Sequence, residues 1–124
     1  MINLHTVSKI DDLWAAPEFP QECSNRTDTR WIKVSSAHTS LTAQFFDPDD
    51  ADQRCLFDFM ASHYDVEDID RARHPHELEK YKKDHVVLRL DADHHGLGTG
   101  SCGQKTLDEY ALKTSPFKFG ILLQ

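Results

Sequence analysis

Hydrophobic and polar residues alternate along this chain in several short blocks separated by turn-forming residues. Val86, Leu88 and Leu90 stand against Val87, Arg89 and Asp91, a two-residue period that predicts a strand over 86–91. Residues 31–34, 41–46 and 56–60 read as further short strands, as do 110–113 and 117–123, the last two joined around Ser115-Pro116. One segment has helical character: Asp65 can cap a helix over 66–73, with Glu67 and Asp68 in its first turn favoured by the helix dipole. His74 precedes Pro75, which pushes it out of the helical region and ends the segment. Asp47 to Asp52 is expected as an acidic connector with turn chemistry, and residues 1–21 as irregular chain broken by Pro17 and Pro20. Several short strands, one short helix and long connections predict a mainly β, antiparallel architecture.

The strand at 86–91 runs into Gly96, Gly98, Gly100 and Gly103, four of the chain's five glycines. Glycine weakens regular structure, so its concentration predicts a backbone that needs positive φ or close approach there. Cys102, between Ser101 and Gly103, is the side chain such a loop would aim at a pocket. The loop lacks the Gly-Lys-Ser/Thr ending of a Walker motif, since Gln104-Lys105-Thr106 follows. It opens onto an expected strand and not a helix, so it is no dinucleotide fingerprint either.

At 124 residues the chain has room for one domain, or is a piece of something larger. Its net charge of −7 argues against nucleic acid. Lys80, Lys82 and Lys83 alternate with Glu77, Glu79 and Asp84, as on a solvated face. No apolar run approaches the ~20 residues that span a bilayer, and the first residues lack a secretory signal. Three cysteines, Cys23, Cys55 and Cys102, are too few and too scattered for a disulfide framework or a zinc site. They suit a reducing cytosol, so the expected location is cytoplasmic, and the sequon at Asn25-Arg26-Thr27 reads as chance.

Histidines and carboxylates are the remaining candidates for chemistry. His94 and His95 stand beside Asp91 and Asp93, but neighbours on extended chain point to opposite sides and do not share one ion. His74-x-His76-Glu77 lacks the i, i+4 histidine pair of a helical zinc motif. These histidines are expected to hydrogen-bond in a core or to line a polar face. Asp58, between Phe57 and Phe59, is expected to face outward, and no carboxylate pair marks a glycosidase site. A nucleophilic Cys102 with His94 or His95 as base lacks a helix N-terminus and an orienting acid.

Gly96-Leu97-Gly98-Thr99-Gly100-Ser101-Cys102, followed by Thr106-Leu107 and Glu109-Tyr110, resembles the carboxy-terminal domain of glycoside hydrolase family two β-galactosidases, especially fungal and yeast lactases. The likeness takes in Phe57-Asp58-Phe59, Ala61-Ser62-His63-Tyr64, Asp68-Ile69 and His74-x-His76-Glu77-Leu78. It also includes Phe19-Pro20-Gln21-Glu22 and Asn25-Arg26-Thr27-Asp28-x-Arg30-Trp31. It covers 12–124 in the family's order, leaving 1–11 unassigned.

The resemblance implies the later part of an antiparallel β-supersandwich of galactose-mutarotase type. In the parent this domain packs beside a (β/α)₈ barrel that holds the two catalytic glutamates, which have no counterpart here. Terminal β-D-galactose, as in lactose, would be released with retention. Cys102 would be a substrate-pocket wall, with Ser101 and Thr99 as neighbours, and no residue of this chain would be catalytic. The magnesium and sodium of the parent would be bound elsewhere, so this chain has no expected cofactor or metal ligand. Expected partners are a galactoside, the catalytic barrel in the same or a separate chain, and further copies in a homo-oligomer. Neither nucleic acid nor membrane is expected.

Three departures from the family pattern stand out. Ser24 occupies a glycine position, where it would strain a positive-φ turn; Gln104 replaces a proline; Ala15-Ala16-Pro17 stands where Thr-Pro-Tyr is usual. The alternative function is a free-standing, non-catalytic carbohydrate-binding or interaction module, whose sheet edge would invite another chain.

Overall fold

A computed structural model describes residues 6–15, 17–18, 20, 23–96, 100 and 102–124. It contains α1 (Ile10–Leu13), β1 (Arg26–Thr29), β2 (Ile32–Ser35), β3 (Ser40–Asp47), β4 (Asp50–Cys55) and β5 (Phe57–Ser62). There follow α2 (Val66–Arg71), α3 (Pro75–Leu78), a 3₁₀ turn (Glu79–Tyr81), β6 (Val87–Asp91) and β7 (Gly120–Leu123). The mainly β reading holds. One sheet has the order β1-β5-β6, and a second joins β2, β3, β4 and β7.

The chain divides into two compact units, Met1–Arg26 with Phe59–Arg89 and Thr27–Asp58 with Leu90–Gln124. In the first unit Ile69, Ala72 and Leu78 are buried, and Trp14 and Tyr64 pack against them. Trp14 and Tyr64 meet with ring centroids 5.2 Å apart. Asp65 does occupy the N-cap of α2, yet its side chain makes no capping hydrogen bond. Lys83 takes it instead, lying 2.9 Å from Asp65 and 3.0 Å from Asp68. A charge-assisted contact to an ammonium outcompetes a neutral backbone N–H for the same carboxylate.

The helix expected over 66–73 ends earlier, at Arg71, because Ala72 is already extended at φ −75° and ψ 129°. His74, before Pro75, is extended as expected, at φ −136° and ψ 149°. Pro75 then opens α3, which was not expected, because proline at the first helical position loses no intrahelical bond. Glu77, at the third position, reaches back to accept from the Arg73 N–H at 2.9 Å, much as in a capping box. That bond holds the Glu77 carboxyl below its ordinary range. A further one-turn helix, α1, lies in the amino-terminal stretch expected to be irregular.

The second unit is organised on β3. Ala43 pairs with Ile32 on one side and Leu123 on the other, and Phe45 pairs with Cys55 and Ile121. β2 and β4 therefore share one edge of β3, while β7 runs antiparallel along the other. The alternation expected for 41–46 is observed: Ala43 and Phe45 are buried, and Thr42 and Gln44 are only half-buried. Phe45 stacks on Phe57 at 4.7 Å and on Phe119 at 5.4 Å, and Phe119 meets Phe117 at 5.8 Å. Phe46, on the other face, lies over its partner Gly120, where a Cβ would clash with the ring.

Two expectations about strands need revision. The acidic tract is a turn only at Pro48-Asp49, where Asp47 accepts from the Asp49 N–H at 2.9 Å; Asp50–Cys55 is a strand. Its exposed, charged side chains suit an edge, which hydrophobic alternation does not reveal. Conversely, 110–113 forms no strand. The Tyr110 N–H closes a turn on the Leu107 carbonyl at 2.9 Å, and Leu112 donates to a histidine ring instead of a neighbouring strand.

Candidate functional site

The glycine-rich stretch follows β6, and two histidines stand just before it. His94 Nδ1 lies 2.7 Å from Asp58 Oδ2, with side chains only 23% and 16% exposed. The approach is bent, so His94 Nδ1 has no well-aligned hydrogen bond. Asp58 Oδ1 accepts from the Asp28 N–H at 2.9 Å. Asp28 sits at φ 54°, in the left-handed region that aspartate tolerates better than most residues. His95 Nδ1 accepts from the Leu112 N–H at 3.3 Å, and the His94 N–H donates to Asp93 Oδ1 at 2.8 Å.

These contacts correct one expectation and sharpen another. Asp58 does not face outward into solvent; a backbone N–H and an imidazole fix both of its oxygens. His94 and His95 hydrogen-bond or pair within the fold, and their Nδ1 atoms turn to Asp58 and Leu112. Among the described residues no three histidine, cysteine, aspartate or glutamate side chains form a metal-binding group.

Beside the histidines lies an open depression of about 470 Å³, lined by Asp93, Asp108, Glu109, Tyr110, Leu112 and Lys113, among others. Its walls offer carboxylate acceptors, an ammonium and an aromatic face, groups suited to a hydroxyl-rich ligand. A smaller notch of about 130 Å³ in the other unit is lined by Trp14, Pro17, Pro20, Tyr64, Pro75 and Glu79, with Leu78. Burial raises the Tyr64 hydroxyl above its ordinary pKa of 10.0, keeping it neutral.

Cys102 is a free, exposed thiol and lines neither depression. Ser101, Thr99 and Gly98 lie outside the described residues. Gly100 has φ +86°, the positive value expected of the loop, whereas a Cβ on Gly103 would meet nothing within 4 Å. The strain expected at Ser24 is absent: Asp28 is the one non-glycine residue with positive φ among those described. Ser24 is instead fully buried, and its Oγ has no hydrogen-bond partner.

Sequence reasoning missed the Asp58–His94 pair. The residues are far apart in the chain, and alternation alone marked Asp58 as outward-facing. The available signal was an aspartate within an aromatic strand and a histidine at the mouth of a glycine run.

Comparison with known proteins places the chain in a family. Residues 2–123 match the family described as the beta galactosidase small chain. A β-galactosidase of Arthrobacter sp. (strain B7) is 33% identical over 94 residues, covering 76% of this chain and 9% of the relative. One from Kluyveromyces lactis is 31% identical over 102 residues, 82% of this chain and 9% of the relative. One from Actinobacillus pleuropneumoniae is 37% identical over 62 residues, 50% of this chain and 6% of the relative. The chain thus matches less than a tenth of the length of these relatives.

Proposed function

The chain belongs to the β-galactosidase small-chain family, and on that premise we propose that it forms the carboxy-terminal part of a β-galactosidase and supplies a non-catalytic wall of its galactoside site. The parent reaction is hydrolysis of terminal non-reducing β-D-galactose, as in lactose, with retention through a galactosyl-enzyme intermediate. The acid/base and the nucleophile belong to the barrel of the parent, in the same or a separate chain. Any magnesium and sodium would be held outside this chain. Cys102 is the residue of this chain assigned to the pocket wall, with Ser101 and Thr99 beside it.

The observation that carries this reading is the family match across residues 2–123, combined with the small fraction of each relative that it covers. Two structural features support it. Both oxygens of Asp58 are occupied by Asp28 and His94, which suits a scaffold better than proton transfer. Leu41, Ile121 and Leu123 lie on the same face as Ala43 and Phe45 by register, yet are 39%, 40% and 54% exposed. Such a half-covered apolar face suits docking onto the remainder of a larger domain.

Complementation tests the reading. A β-galactosidase truncated to lack this segment should regain galactoside hydrolysis when this chain is added. Galactoside binding by the chain alone, with no rescue, would replace the reading with that of a carbohydrate-binding module.

A further inference from the structure

We propose that His94 and His95 are positioning residues held in opposite proton states at Nδ1, and that together they fix the wall of the depression beside the glycine-rich stretch. The proton placement stands on geometry alone; the kinetic consequence rests on the proposed function and on this depression, which Cys102 does not line, being a further part of the galactoside site.

Adjacent residues on extended chain face opposite ways, so the two rings reach different parts of the fold. For His94 the neighbour is a carboxylate oxygen at 2.7 Å. An ionised carboxylate only accepts, and two facing lone pairs at that distance would repel. Nδ1 of His94 must therefore carry a proton, even though the bent approach makes the contact more ion–dipole than linear hydrogen bond. Asp58 is itself held by the Asp28 N–H at 2.9 Å, so the ring meets a fixed partner.

For His95 the neighbour is a donor. The Leu112 N–H points at Nδ1 from 3.3 Å, which requires a lone pair there and places the ring proton on Nε2. This bond ties His95 to a residue 17 positions later. Asp93 and Leu112 both line the depression, and Asp93 Oδ1 accepts from the His94 N–H at 2.8 Å. The tripeptide 93–95 thus joins one wall to β5 through Asp58 and to the other wall through Leu112. Neither histidine touches substrate in this account; each acts through the backbone it holds.

Isotope-labelled full chain and ring nitrogen–proton NMR correlations at mildly alkaline pH test the placement. The expected result is a protonated Nδ1 on His94 and an unprotonated Nδ1 on His95, assigned with His94→Asn and His95→Asn. Both rings in the same tautomer would overturn the inference. In the complemented β-galactosidase, asparagine keeps a donor or acceptor near the Nδ1 position, so both Asn variants should hold KM within about twofold of wild type. His94→Leu and His95→Leu should each raise KM about tenfold with kcat little changed. Leucine and asparagine variants with equal KM would count against a positioning role. If wild-type chain restores no hydrolysis, the galactoside reading fails, and the NMR result still decides the proton placement.

Discussion

Replacing Phe45 by alanine should remove the centre of the aromatic column in the second unit. Phe45 is 1% exposed and stacks between Phe57 at 4.7 Å and Phe119 at 5.4 Å. Deleting a fully buried phenyl ring costs about 3–5 kcal/mol, including the cavity and the lost ring contacts. For a chain of this size roughly 4 °C accompanies each kcal/mol, so the midpoint should fall by roughly 12–20 °C. Phe117 ends the same column but is 73% exposed. With about a quarter of its surface covered, Phe117→Ala should cost about 1 kcal/mol. Thermal and urea unfolding followed by circular dichroism would measure both. The reasoning fails if Phe45→Ala shifts the midpoint by less than ~4 °C, or if the two substitutions cost the same.

Other outcomes follow from single contacts. Gly120→Ala places a methyl group in clash with the Phe46 ring, so it should destabilise by about 1–3 kcal/mol by overpacking, and a neutral effect in urea melts would contradict the β3–β7 register. Lys83 pairs with Asp65 and Asp68, which raises its pKa above the ordinary 10.5 and lowers that of Asp68 below 3.8. A lowered carboxyl pKa stabilises above pH 3.8 and is lost as pH falls through the folded value; a raised ammonium pKa stabilises below pH 10.5 and is lost above it. Lys83→Met should therefore lower Tm most between these limits, and its deficit should shrink outside them; a deficit that did not vary with pH would sink the pairing. Cys102→Trp in the complemented enzyme should change KM or kcat for a galactoside, and unchanged kinetics would remove Cys102 from the pocket wall.

The β pattern was legible where one face of a strand is buried and the other wet. Ala43 and Phe45 against Thr42 and Gln44 announce β3; the alternation of 86–91 announces β6 too, although every residue of that strand is half-buried. Legibility failed at edges and in turns. β4 has no apolar face to display, and its strand character comes from pairing with β3. The stretch 110–113 has the short apolar run of a strand, but Leu112 gives its N–H to His95 rather than to a neighbouring strand. α3 was hidden by reading Pro75 solely as a helix stop, when its fixed φ also suits a helix start. At the site, the glycine run correctly foretold a positive φ, met at Gly100. Asp58 was misplaced because its partner is a tertiary one: a histidine supplied by a distant segment turned an apparently solvent-facing carboxylate into a half-buried anchor.

The account's central claim is a division of labour: this chain shapes a sugar site while other residues of the parent break the bond. Galactoside turnover should be measured with the purified chain alone, with the truncated β-galactosidase alone, and with the two together. Turnover in the mixture only, saturating at equimolar chain, is the predicted result. Enzymatic turnover by the chain alone, or a mixture as inert as its components, would contradict it.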